Sequence, residues 1–267
     1  MNSSNPILNR AYGKRGYAAM ETIPQSRVEA RVEDNLEEAY NAPAASSLRT
    51  GRMTMDDVVA RTGILLGIAV IVGAASWYLN LPSSFLFIGL IGGLVTGLIG
   101  AFSKTVRPAL YMTYAVFQGL LMGILSRTFE LFYPGIVQQA VVATVAAFVG
   151  MLFLYKSGRL RATPKFTKVL IGATLGYLVL AMGSLISVLL GGGSLYSLSV
   201  FGPMLAMAGV ALASFFLILD FDQAEQGVRM GLPQEESWRA GFGLVMTVIW
   251  LYLEILRLLA ILRGGND

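Results

Sequence analysis

Neither cysteine nor histidine occurs in the 267 residues, and only 13% of them are charged. Without cysteine there are no disulfides, no thiolate zinc sites and no thiol chemistry. Without histidine, Ser-His catalysis, an intramembrane Ser-His pair and His-rich metal sites are excluded too. The charged share is about half the roughly 25% of an average soluble domain, whereas 55% of the residues are hydrophobic. This composition describes an integral membrane protein. Its chemistry has to come from carboxylates, Lys, Arg, Tyr and backbone carbonyls, so a non-enzymatic role without a cofactor is expected.

The uncharged runs set the architecture. From Thr62 to Ser103 there are 42 residues without a charge, enough for two spans of about 20 residues each. Asn80, Pro82 and Ser83 mark the turn between them. Val169 to Leu219 is a second uncharged run, of 51 residues, broken by Gly191-Gly192-Gly193-Ser194. Pro108 suits the first turn of another helix, and Tyr133-Pro134-Gly135 and Gly231-Leu232-Pro233 supply further breaks. The expected fold is all-α: a polytopic bundle of seven transmembrane helices near residues 57–79, 84–102, 108–127, 136–155, 169–190, 199–222 and 237–262. Thr54 with Asp57 resembles an N-cap with an acid at N3, which starts the first helix near Met55.

Small residues recur four apart at Gly63 and Gly67, at Gly89, Gly93 and Gly97, at Gly119 and Gly123, and at Gly172 and Gly176. That spacing lets helix backbones approach closely inside a bilayer.

Residues 1–53 form a polar tail with Pro6, Pro24 and Pro43, expected to be largely disordered and cytoplasmic. Within it Val28, Val32, Leu36 and Tyr40 recur every four residues, the pattern of one short amphipathic helix. Met1 to Met20 lack an apolar core, so the first span is expected to direct insertion itself. Lys and Arg crowd one side of the expected bundle: Arg49, Arg52, Arg61, Lys104, Arg107, the five basic residues of Lys156 to Lys168, Arg229 and Arg239, against Arg127 and Arg263 on the other. The N-terminus is therefore expected inside and the C-terminus outside. Because the net charge of +4 sits in short loops between spans, it speaks for topology rather than for nucleic acid. The expected partners are the lipid bilayer and other membrane proteins, with the chain itself a monomer.

Acids inside the last two spans carry the functional signal. A carboxylate at the centre of a spanning helix costs about 2.5–3.5 kcal/mol on insertion scales, so it faces a partner or a water-filled path. Span six ends in Leu219-Asp220-Phe221-Asp222-Gln223-Ala224-Glu225, and span seven holds Leu253-Glu254-Ile255-Leu256-Arg257. At about 100° per residue, Asp222, Glu225, Gln226 and Arg229 share one face, and Asp220 points about 200° away from Asp222. For Glu254 two readings stand: an intrahelical ion pair with Arg257, three residues on, or a gating or ion-coordinating group. Glu130 reads as a helix-end residue near Arg127. Asp220, Asp222 and Glu225 open like a calcium-binding EF-hand loop but lack its third acid, its Gly and its closing Glu.

Together these residues resemble a known family. The Asp-containing close of span six and Leu251-Tyr252-Leu253-Glu254 in span seven are similar to the Bax inhibitor family, including its bacterial YccA-like branch. Phe117-Gln118-Gly119-Leu120, Gly123-Ile124-Leu125-Ser126 and Tyr133-Pro134-Gly135-Ile136-Val137 add to the likeness. The similarity covers about residues 54–263 and leaves the tail outside the shared core. It implies a seven-helix bundle in which carboxylates on helices six and seven form a pH-sensitive latch over a calcium-permeable path. Carried onto this chain, the latch is Asp220 or Asp222 with Glu254, next to Arg257; these carboxylates are also the implied calcium ligands. Ca²⁺ is then a permeant or bound ion, and stress tolerance the implied setting, in a bacterial plasma membrane. A non-conducting regulator that binds a membrane protease or survival factors through the tail is the alternative. An ion-coupled transporter is another, while an intramembrane aspartyl protease lacks its Gly-x-Gly-Asp motif here.

Overall fold

The computed structural model of the protein describes residues 51–197 and 201–264. The tail up to residue 50, with its amphipathic stretch from Val28 to Tyr40, lies outside the described residues. The described residues form seven α-helices in order: α1 (Met55–Tyr78), α2 (Ser84–Phe102), α3 (Pro108–Phe132), α4 (Ile136–Lys156), α5 (Pro164–Leu189), α6 (Phe201–Arg229) and α7 (Glu236–Gly264). All seven are long and apolar enough to cross a membrane, and among the described residues a 3₁₀ turn, Leu195–Ser197, precedes α6. The chain is an all-α, multi-pass membrane protein.

Local chemistry starts and stops these helices. Thr54 Oγ1 accepts from the Asp57 N–H at 3.2 Å while the Thr54 N–H donates to Asp57 Oδ2 at 3.2 Å, closing a capping box at the head of α1. Thr54→Ala is therefore expected to cost about 1 kcal/mol, read as a lower thermal midpoint in detergent, and Thr54→Ser to cost much less. Equal losses in the two variants would show that the Thr54 hydroxyl does not stabilise the head of α1. Thr163 caps α5, accepting from the Phe166 N–H at 3.2 Å ahead of Pro164 in the first turn. Gly191 ends α5 at φ +82° and Gly231 turns α6 into α7 at φ +65°, the left-handed conformation that glycine adopts at least cost.

Several helices outrun the apolar segments visible in sequence. α3 continues past Arg127 to Phe132, α5 begins at Pro164 rather than near residue 169, and α6 runs on to Arg229. Charge ends a hydrophobic span, but it does not break a helix; caps and positive-φ residues do.

α7 is the centre of the bundle. One core cluster joins it to α4 and α6 through Ile136, Ala140, Leu217, Phe221, Leu251 and Leu256, and another joins it to α1 and α3 through Leu65, Tyr111, Tyr114, Phe242 and Val245. Outward faces are apolar as well: Phe87, Ile91, Leu94, Val145, Phe153 and Val179 are all more than half exposed, as expected of a surface that meets lipid tails.

The glycine stripes divide into two kinds. A Cβ on Gly119 would stand 2.5 Å from the Ala69 carbonyl oxygen, one on Gly123 2.2 Å from that of Gly73, and one on Gly89 3.0 Å from that of Phe117. These glycines let α1 and α2 close onto α3. Gly63, Gly67, Gly172 and Gly176 have nothing within 4 Å of such a Cβ, so the close approach expected at those four does not occur among the described residues. Spacing alone does not say which face of a helix meets a neighbour.

Candidate functional site

The segment just before α1 is stitched to the α6–α7 turn. Met53 donates its N–H to the Leu232 carbonyl at 2.8 Å, and Gln234 donates its N–H to the Gly51 carbonyl at 2.9 Å. Met53 is thereby buried, with its thioether against Gly227 of α6. Asp57 belongs to the same joint, since Gln234 Nε2 donates to its Oδ1 at 3.0 Å.

Asp220 lines one cavity together with Met53 and Leu232 of this joint. Its Oδ2 is fully buried and has no hydrogen-bond partner among the described residues. The other oxygen, Oδ1, lies 3.7 Å from where a Cβ on Gly243 of α7 would sit. That cavity, of about 250 Å³, is lined by Asp220, Gln223, Glu236, Arg239, Gly243 and Met53 among others. Glu236 and Arg239 at its rim form an ion pair at 2.9 Å, and Arg239 also donates to the Ser103 and Lys104 carbonyls at 3.1 Å.

Asp222 faces elsewhere, as the 100° spacing requires. It shares a second cavity of about 510 Å³ with Glu225, Gln226 and Arg229, against Tyr155 and the α4–α5 loop. Tyr155 donates its hydroxyl hydrogen bond to Glu225, and Arg229 pairs with the same carboxylate at 2.5 Å.

Glu254 sits deeper in the bundle and is 3% exposed. Tyr177 of α5 donates its hydroxyl hydrogen bond to Glu254 Oε1 at 2.7 Å, and Trp250 Nε1 donates to the same oxygen at 3.1 Å. Arg257 donates to both carboxylate oxygens, at 3.2 and 3.1 Å, and its guanidinium lies 4.5 Å over the Tyr196 ring. Tyr196, from the 3₁₀ turn, also shares a hydrogen bond with Tyr177 at 2.9 Å. Space for the carboxylate comes from α6: a Cβ on Gly209 would lie 2.6 Å from Glu254 Oε2. A buried ion satisfied by a guanidinium, an indole N–H and a phenol is a stable arrangement; an ion lacking its partner is not.

Of the residues singled out in sequence, the structure brings Glu254 and Arg257 together and keeps both aspartates away from them. Asp220 is level with Gly243, and Glu254 with Gly209. The offset is eleven residues on both helices, or about 16 Å along the helix axes. Ala213, Leu217 and Leu251, all fully buried, fill the interval, flanked by Phe216 and Trp250 with ring centroids 5.7 Å apart. Asp220, Asp222 and Glu254 thus occupy three separate sites. Among the described residues no three acids converge as a metal-binding group.

Tyr177, Tyr196, Trp250 and Gly209 were not visible as site residues in sequence. Trp250 stands one turn before Glu254, and its i, i+4 relation was a usable signal. Tyr177 and Tyr196 arrive from distant parts of the chain, and their apolar neighbours carry no mark of it. Glu130 has a more specific role than a helix-end residue near Arg127. Its carboxylate accepts from the N–H groups of Gly135 at 2.5 Å and Val137 at 3.1 Å, capping α4.

Comparison with curated proteins yields no match. The family model described as Bax inhibitor 1 like matches residues 5–264, so the match takes in most of the tail, which the resemblance read from sequence had left outside the shared core. With seven spanning helices and a match over nearly its whole length, the chain belongs to the Bax inhibitor 1 like family.

Proposed function

We propose that the protein is a pH-sensitive leak for calcium or related cations, gated by the carboxylates of α6 and α7. The observation that carries this reading is Asp220, an acid inside a helix bundle with a buried oxygen unpartnered among the described residues and a cavity beside it. Such a group marks an ion or proton path more often than a fold-stabilising contact. In this reading the crowded basic end faces the cytoplasm of a bacterial cell, in its plasma membrane, and a single chain suffices. Asp220 is the entry station, and Glu254 with Arg257 is the lock beyond the Leu217–Leu251 layer.

The two stations act in sequence rather than as a facing pair. A neutral Asp220 fits the closed α6–α7 interface, whereas an ionised one calls for water or a cation. Deprotonation therefore favours separation of α6 from α7 and offers an oxygen ligand to Ca²⁺. Beyond the apolar layer, passage requires Glu254 to exchange Arg257 for the ion.

The test is Ca²⁺ flux into liposomes containing the purified protein, between about pH 6 and pH 8. Wild-type flux is expected to rise with pH, Asp220→Asn to flatten that rise, and Glu254→Gln to change the flux at every pH. No flux above empty liposomes would overturn the reading and favour a non-conducting regulator, for which partner capture with and without residues 1–50 is the next measurement.

A further inference from the structure

The second cavity carries charges that the gate does not use. On one wall are Lys156, at the end of α4, and Arg161, in the α4–α5 loop; on the other are Asp222 and Glu225 of α6. Glu225 already has Arg229 as its cation. Asp222 is different: Gln226 Nε2 donates to it at 2.5 Å and the Tyr155 hydroxyl at 3.5 Å, both neutral donors, and no Lys or Arg nitrogen lies within 4.0 Å of it among the described residues. Lys156 and Arg161 likewise form no ion pair among them. The loop turns at Gly158 with φ +70°, and the Arg161 guanidinium folds over it, 3.3 Å from where a Cβ would sit. Two cations and one carboxylate thus face a space of about 510 Å³ without neutralising one another.

We propose that this cavity seats a phosphoethanolamine lipid headgroup, with its phosphate on Arg161 and Lys156 and its ammonium on Asp222. The two-sided charge decides the class. A purely anionic headgroup would leave Asp222 unmet and place a second negative charge beside Glu225, and a metal cation would meet the two basic side chains. A phosphate takes charge-assisted hydrogen bonds from a guanidinium, and a primary ammonium donates to a carboxylate; a trimethylated nitrogen has no N–H to donate. The setting decides the source. Phe153 of α4 and Val169 of α5, each about one turn inside the cavity wall, are 67% and 71% exposed, so the cavity lies where lipid-facing apolar surface gives way to Arg159, Lys165 and Lys168. Headgroups occupy that level.

The experiment is native mass spectrometry of the full chain released from micelles holding equal amounts of phosphatidylethanolamine, phosphatidylcholine and phosphatidylglycerol. Wild type is expected to retain phosphatidylethanolamine about tenfold over phosphatidylcholine, the worth of one charge-assisted contact. Arg161→Gln should lower retention of both, because both carry the phosphate. Asp222→Asn should abolish the preference between them while leaving the phosphate contact. Soluble phosphoethanolamine at the same concentration should not compete. Preference for phosphatidylglycerol, an unchanged ratio in Asp222→Asn, or full displacement by the soluble headgroup would each overturn the proposal. None of these readouts depends on ion flux, so this site and the leak stand or fall separately.

Discussion

Replacing Arg257 with glutamine should destabilise the bundle by about 3 kcal/mol, the lower end for a broken buried ion pair because part of the guanidinium stays exposed. Glu254 is 3% exposed, and Arg257 is its only cationic partner among the described residues. Losing Arg257 strands a carboxylate between α5, α6 and α7 with only Tyr177 and Trp250 as donors. Glu254→Gln in the same background should recover most of the loss, since a neutral amide asks less of its surroundings. Thermal unfolding in detergent of the two single variants and the double variant gives the coupling directly. Additive losses would mean that the pair is not coupled, and the lock assigned to it would fail with it.

Replacing Gly123 with alanine is expected to cost about 3 kcal/mol or more, at the upper end for overpacking. The added Cβ would stand 2.2 Å from the Gly73 carbonyl oxygen and 1.9 Å from Ser76 Oγ. Ser76 can rotate at the cost of its 2.8 Å hydrogen bond to Gly73. The Gly73 carbonyl belongs to the α1 backbone and can move only with the helix, so α1 and α3 must separate. Gly67→Ala is the control: nothing lies within 4 Å of its Cβ, and exchanging a helical glycine for alanine there should be neutral or slightly stabilising. Equal midpoints for the two variants would show that α1 and α3 do not cross closely at Gly123.

The two glycines show how far sequence reached. Both stood in four-residue repeats and both suggested close packing. The repeat says that a helix has a smooth strip; only the position of its neighbours says whether that strip is used. Asp220 and Asp222 were more legible, because the turn angle of a helix is a local property and predicts that they point apart. They do, into different cavities. Glu254 with Arg257 was legible for the same reason, as a contact within one helix.

What the sequence determined by itself was the number of spans, their turns, the cap at Thr54 and the identity of the intramembrane acids. All of these follow from runs, periods and caps that operate over a few residues. What only the tertiary structure decided was the depth at which α6 and α7 meet, and hence that Asp220 and Glu254 are about 16 Å apart along the helix axes rather than facing. Register between two apolar helices is set by side-chain shape, here Gly209 receiving Glu254 and Gly243 lying against Asp220. A bilayer adds no preference of its own, because lipid tails are as apolar as the residues that pack.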